Sequence, residues 1–306
     1  MTDGQLERLL SLMERIANAL ERMVPATETA GTSDGAGSDP ELAPAPESEA
    51  VPAVAAAEPV TLVPESLRRF LDSRGIRVRR VPPPHPADPV LDQLALYLGQ
   101  RYEALKDVLG WIRRTMQTGG NWHLKLAGRP QEVIGACCQF CHRLHQLAFL
   151  TEYRYHRAPR CLIEARTSPA PEAQNFFSGQ WLERFVRQQV EAAGAVSNGV
   201  AVLANAQVVL PNNDDFELDL LVEFQGSICW IEAKTGAYQQ YVRKYSQMAR
   251  MFGLGARQSF LVLAGVAPGV CEELSRLIQM TVCRPEEFHN VFIAAAGQGT
   301  GNRAAI

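Results

Sequence analysis

The feature that most restricts how this chain can fold is the stretch NNDDFELDLLVEFQGSICWIEAKTG, residues 212–236. Two apolar, β-like runs flank Gln225-Gly226, which reads as a hairpin with a two-residue turn. Charges interrupt both runs, Glu217 and Asp219 in the first, Glu232 and Lys234 in the second. Alternate residues of a strand share a face, so each of these charged pairs lies on one side of its strand. A turn at Gln225-Gly226 pairs Phe224 with Ser227, and the same register sets Asp219 opposite Glu232 and Glu217 opposite Lys234. Opposed residues have Cβ atoms about 4.5–5.5 Å apart, so two facing carboxylates repel unless a cation lies between them. Oxygen ligands at roughly 2.0–2.1 Å suit Mg²⁺ in that place. In the competing reading, Glu217 and Lys234 form a cross-strand ion pair and the other acids are solvated. The apolar residues on both faces, among them Leu218, Leu220, Leu221, Trp230 and Ile231, argue against an exposed hairpin.

The elements around the hairpin alternate. A long amphipathic helix is expected from QNFFSGQWLERFVRQQVEAAG, then a strand or strand pair from GVAVLANAQVVL. After the hairpin come a helix (YQQYVRKYSQMARMFG), a strand (SFLVLAG), a helix (GVCEELSRLIQMTV) and a final strand (NVFIAAAG). Strands alternating with helices predict an α/β fold with a mixed sheet flanked by helices, over residues 171–306.

The upstream half divides into three parts. Residues 1–23 place Leu6, Leu9, Met13, Ile16, Leu20 and Met23 at heptad spacing, either a coiled-coil helix that self-associates or an amphipathic helix capping the body. Residues 24–63 carry seven acids, no bases and much Ala and Pro, a composition that predicts a disordered acidic linker. Residues 64–170 open with a basic stretch, SLRRFLDSRGIRVRR, whose arginines either meet phosphates or are simply solvated. Two helices broken near Gly99, a short strand, a further helix starting at Pro130 and a hairpin turning at RAPR then give the order of a winged-helix-like module. Arg143 on its helix and Arg157 on its wing are candidate nucleic-acid contacts. Cys138, Cys141, His142 and His145 share one helix face, but ligands along one straight helix cannot close a zinc tetrahedron, so the cysteines read as core.

With the carboxylates, the lysine and a preceding acidic helix in view, the sequence resembles the PD-(D/E)XK nuclease superfamily. The likeness runs from GQWLERFV through FELD and IEAK to YQQYVRKYSQ, roughly residues 174–265. It looks closest to the nuclease domain of CRISPR-associated endonucleases activated by cyclic oligoadenylates. The resemblance implies a restriction-endonuclease-like fold and Mg²⁺- or Mn²⁺-dependent hydrolysis of phosphodiester bonds. It implies Asp219, Glu232 and Glu183 as metal ligands, Lys234 as the catalytic lysine and Glu217 as a supporting acid. Gln240, Lys244 and Gln247 on the following helix are expected near the nucleic-acid backbone. Leu218 stands where the superfamily name has Pro. Residues 1–170 show no ligand-binding sensor, so activation by a cyclic oligonucleotide is not carried over. DNA is expected ahead of RNA, because a winged helix suits a duplex major groove. Defence against foreign DNA follows from the resemblance alone. The rival function is an inactive nuclease fold serving as a DNA-binding or assembly subunit.

Charge and cysteine content fit this picture. Setting aside the seven linker acids and the one surplus acid of residues 1–23, the net −3 becomes about +5 for residues 64–306, compatible with a polyanionic partner. Seven cysteines without disulfide-like spacing suit a reducing cytoplasm, and the sequence has no apolar run of about 18 residues that would span a bilayer.

Overall fold

A computed structural model of the chain describes residues 63–196, 199–236 and 238–296. The heptad segment 1–23 and all but the last residue of the expected linker lie outside the described residues.

The larger sheet has six strands: β1 (Arg77–Arg80), β5 (Val200–Val209), β6 (Asp215–Phe224), β7 (Ser227–Lys234), β8 (Ser259–Leu263) and β9 (Thr281–Cys283), adjacent in that order. The first four are antiparallel to their neighbours and the last two run parallel to β7, so the sheet is mixed. Helices cover both faces, as a sheet buried on both sides requires. On one face lie α1 (Glu65–Asp72), α7 (Gln239–Phe252) and α8 (Pro268–Ile278), around Phe216, Leu218, Trp230 and Phe252. The other face carries α2 (Asp88–Gln100), α6 (Trp181–Val196) and α9 (Pro285–Ala296), around Phe185, Val222, Phe224 and Phe292.

The hairpin turn forms at Gln225-Gly226, with φ of 49° and 74°. Positive φ at both central residues is the type I′ geometry whose twist matches the flanking strands. Phe224 pairs with Ser227 and the expected register continues to Leu220 and Ile231.

Between α2 and α6 lies a second sheet of β2 (Asn121–Lys125), β4 (Leu162–Thr167) and β3 (Leu150–His156), antiparallel in that order. With α3 (Tyr102–Thr115) and α4 (Gln131–Gln146) it follows the expected helix, helix, strand, helix, hairpin order. Its core is continuous with that of the large sheet.

Two expectations are corrected. The basic stretch before Val81 does not belong with the helical module but supplies α1 and β1, and β1 is the edge strand of the large sheet beside β5. NVFIAAAG is the end of α9, not a strand, because Phe288, Phe292 and Ala296 are buried at helical spacing. The strand position is taken by Thr281–Cys283. The expected long helix leading to Glu183 runs without interruption from α5 (Pro171–Asn175) through a π-helical turn (Phe176–Gln180) into α6. Of the Cys/His face on α4, Cys141 is buried and its thiol pushed well up by burial, while His142 is exposed. Among the described residues no group of three or more Cys, His, Asp or Glu side chains is gathered to hold a metal ion, and no helix is long and apolar enough to cross a membrane.

Candidate active site

Glu183 is placed by the packing of α6 on α2. Gly99 has no side chain where the Phe185 ring lies against α2. Arg184, the residue after Glu183, donates to Asp88 at 2.6 Å and to Asp92 at 2.7 Å, and Arg187 donates to Asp92 at 2.6 Å. These half-buried, charge-assisted bonds fix the rotation of α6 about its axis. Glu183 then faces an open cleft of about 640 Å³, lined also by Asn205, Gln207, Glu217 and Lys234. The π-helical turn forms one wall, and the Thr235 hydroxyl at the end of β7 donates to the Ser178 carbonyl in it. Such turns recur at functional sites because they re-aim the helix that follows.

Asp219 and Glu232 do not form an ordinary ladder pair. The register ends at Leu220 and Ile231, and beyond it the carboxylates take up backbone bonds that a regular ladder would have made. The Ala233 N–H donates to Asp219 Oδ2 at 2.9 Å, and the Asp219 N–H donates to Glu232 Oε1 at 3.3 Å. On its other side β6 loses alternation as well. Phe216 and Leu218 face the α7 side, whereas Leu220, Val222 and Phe224 face the α6 side. On the neighbouring strand Asn205, opposite Asp219, is left out of the ladder with φ of 51°, and the register is the same on both sides of this gap. Asn tolerates this left-handed conformation better than most residues. These paired irregularities take Asp219 out of the alternation, so that its carboxylate meets the Ala233 N–H and Lys234.

Lys234 bridges the two acids. Its Nζ donates to Asp219 Oδ2 at 2.9 Å and lies 3.6 Å from Glu232 Oε2. The expected Glu217–Lys234 opposition is absent, because the strands have parted before that level. Glu217 is exposed and lines the cleft instead. Asp219 is 5% exposed and Glu232 1% exposed. Two residues not expected at the site complete the cluster. Trp230 Nε1 donates to Glu232 Oε1 at 3.0 Å, and Tyr245 from α7 lies near enough to the same carboxylate to favour its ionised form. Trp230 could have been suspected, since it lies two residues from Glu232 on the same strand face; nothing local in sequence marks Tyr245.

The electrostatics follow from burial and like charge. Burial, then the Asp219 and Glu217 charges, push the Glu183 carboxyl up to about 7 against the pull of Lys234. Burial and the Asp219 charge raise Glu232 far above the usual carboxylate range, outweighing Lys234, the Asp219 N–H and Tyr245. Burial disfavours the Lys234 ammonium, but Asp219 and Glu232 together outweigh it and hold its pKa above the ordinary value. Glu183, Asp219 and Glu232 are hard oxygen donors of the type that Mg²⁺ and Mn²⁺ take. Concentrated carboxylates offset by a single lysine are in keeping with that donor chemistry.

The remaining candidates lie elsewhere. Gln240, Lys244 and Gln247 are exposed on α7, with the Lys244 ammonium 4.7 Å from the centre of the Phe216 ring. Arg143 stacks on Tyr97 at 4.4 Å, and Arg157 is exposed in the β3–β4 turn. None of the five lines the cleft.

No protein-family model matches the chain and no curated protein matches it significantly. Solved structures do match. The protein VC1899 from Vibrio cholerae is 18% identical with a TM-score of 0.51, over 74% of this chain and 60% of that one. Can2 from Sulfobacillus thermosulfidooxidans, solved in complex with cyclic tetra-adenylate, is 13% identical with a TM-score of 0.52, over 75% and 60%. This chain thus spans about three fifths of the length of each. At such identities the likeness is one of fold, and it places the mixed α/β sheet and its helices in the same structural class as these two proteins.

Proposed function

We propose that the chain is a metal-dependent nuclease that hydrolyses phosphodiester bonds in nucleic acid, DNA in preference to RNA. The observation that carries this reading is that Glu183 from α6 and Lys234 from β7 line one open cleft, with Lys234 reaching from it to the buried Asp219 of β6 and Glu232 of β7 and the Asp219 charge acting on Glu183. Mg²⁺ or Mn²⁺ would be held by Asp219, Glu232 and Glu183. A bound ion of this kind lowers the pKa of its water and stabilises charge on the phosphate. Lys234 positions the attacking water and Glu217 supports the site from the cleft wall. Gln240, Lys244 and Gln247 touch the strand near the cut. The helices and three-stranded sheet between Asp88 and Thr167 contribute a winged-helix-like module whose Arg143 and Arg157 add salt-sensitive affinity. Self-association through residues 1–23 and defence against foreign DNA belong to the same reading. The similar fold of a protein solved with cyclic tetra-adenylate agrees with the sequence resemblance.

A second reading, an inactive nuclease fold that binds nucleic acid, draws on one observation. Lys234 is engaged with Asp219, and no three donors are gathered around a common point among the described residues. Cleavage of plasmid DNA, single-stranded DNA and RNA in Mg²⁺, Mn²⁺ or EDTA separates the two. The unmodified chain should cut in either metal and not in EDTA, while Asp219→Ala and Lys234→Ala should not cut at all. Cutting that persists in Asp219→Ala would sink the assignment of the site, and absence of cutting by the unmodified chain would leave the second reading standing.

A further inference from the structure

The strand irregularities at the cleft do not stop at β5 and β6. In β1, Arg77 pairs with Val209 and Val78 with Val208, but Arg80 pairs with Gln207, so Arg79 is an extra residue. Had Arg79 paired in regular register, Arg80 would fall opposite Ala206, on the same side as Val78 and in the core beneath α7. The bulge reverses the alternation: Val78 and Val81 both pack on that core, while Arg80 joins Gln207 in lining the cleft. Arg79 is held outside by Asp215 at 2.9 Å. Three adjacent strands therefore each carry one irregular residue at this rim, at Arg79, Asn205 and Asp219. Bulges beside active sites re-aim side chains in this way.

Among the described residues lining the cleft, Arg80 and Lys234 are the cations, and Lys234 is already bonded to Asp219. Arg80 makes no ion pair with any described residue, although Glu183 and Glu217 line the same cleft. A planar guanidinium presents paired donors that match a phosphate bidentately. We propose that Arg80 docks a backbone phosphate of the substrate strand next to the one being cut. The inference rests on the nuclease reading and extends it to a residue well upstream of the stretch that resembles a nuclease. An edge strand from the start of the described chain thereby contributes to the site. Arg80 is a positioning residue in this account, and it acts on the strand rather than on the reacting atoms.

The test is binding of a labelled oligonucleotide, single-stranded and duplex, followed by fluorescence anisotropy across a salt series in EDTA. Arg80→Ala should weaken binding about tenfold, the scale of one charge-assisted contact, and should reduce the slope of log K against log salt by about 0.7–0.9. Arg80→Lys should restore the slope but only part of the affinity. Arg276→Ala, which removes an equal charge from exposed α8, should leave both unchanged. In the cleavage assay Arg80→Ala should raise KM more than it lowers kcat. If Arg80→Ala and Arg276→Ala give the same slope, or the unmodified chain binds no oligonucleotide, the inference is overturned. Binding with the expected slope change but without cutting would instead support Arg80 and count against the nuclease reading alone.

Discussion

Replacing Lys234 by Met keeps the apolar stem and removes the only cation that pairs with Asp219 and Glu232 among the described residues. These carboxyls are 5% and 1% exposed, so the variant must hold a buried charge without a partner or take up a proton. An unpaired buried charge costs about 3–5 kcal/mol. Protonation costs about 1.4 kcal/mol for each pH unit above the unfolded pKa, which is about 3.9 for Asp and 4.3 for Glu. At about pH 7 that amounts to roughly 4 kcal/mol, and at about pH 5 to roughly 1 kcal/mol. The cheaper route sets the loss, so Lys234→Met should lose about 4 kcal/mol at neutral pH and about a quarter of that at pH 5. The sign follows from a carboxyl whose folded pKa is raised: its contribution is complete below the unfolded pKa and is lost as pH rises. In a chain of this size the neutral-pH loss corresponds to a Tm about 8–16 °C lower. Thermal melts in EDTA at both pH values read this directly. An equal loss at the two pH values, or none at neutral pH, would refute Lys234 as the counter-charge of this pair.

Two further outcomes follow from the same cluster. Tyr245→Phe removes a hydroxyl that lowers the Glu232 pKa against burial and the Asp219 charge. It should move the acidic limb of the pH–rate profile upward, and an unmoved limb would mean that the hydroxyl does not act on Glu232. Glu183→Gln removes a carboxyl whose pKa is raised to about 7. The stability this group contributes is complete below about pH 4.5 and is lost by about pH 7. In EDTA the variant should therefore gain on the unmodified protein across that window, by about 2–3 kcal/mol at its upper end. Parallel stability curves from pH 4 to 8 would show that Glu183 is not held in this environment.

The legible parts of the fold were those whose information is local. The turn at Gln225-Gly226, the register from Leu220 to Phe224 and the helices around them follow from periodicity and turn chemistry, which neighbouring residues fix together. The apolar run in NVFIAAAG was misread because a short buried segment looks alike as strand or helix, and packing against Phe224 and Phe260 decides it. The place of β1 was not legible, since an edge strand's partner lies more than a hundred residues away and strand pairing at that range leaves no local mark.

The same division holds within the site. Sequence by itself brought Asp219, Glu232 and Lys234 together, because a two-residue turn leaves the hairpin little freedom in how its arms align. Tertiary structure decided what those residues touch. The strands part beyond Leu220 and Ile231, Lys234 turns to Asp219 rather than to Glu217, and Tyr245 arrives from the opposite face. A bulge in β1, and the unpaired Asn205 and Asp219 facing each other across β5 and β6, set which side chains enter the cleft. A bulge is a compromise between the register that a hairpin imposes and the cores that the two sheet faces must fill. Its position is fixed only when all the layers are packed.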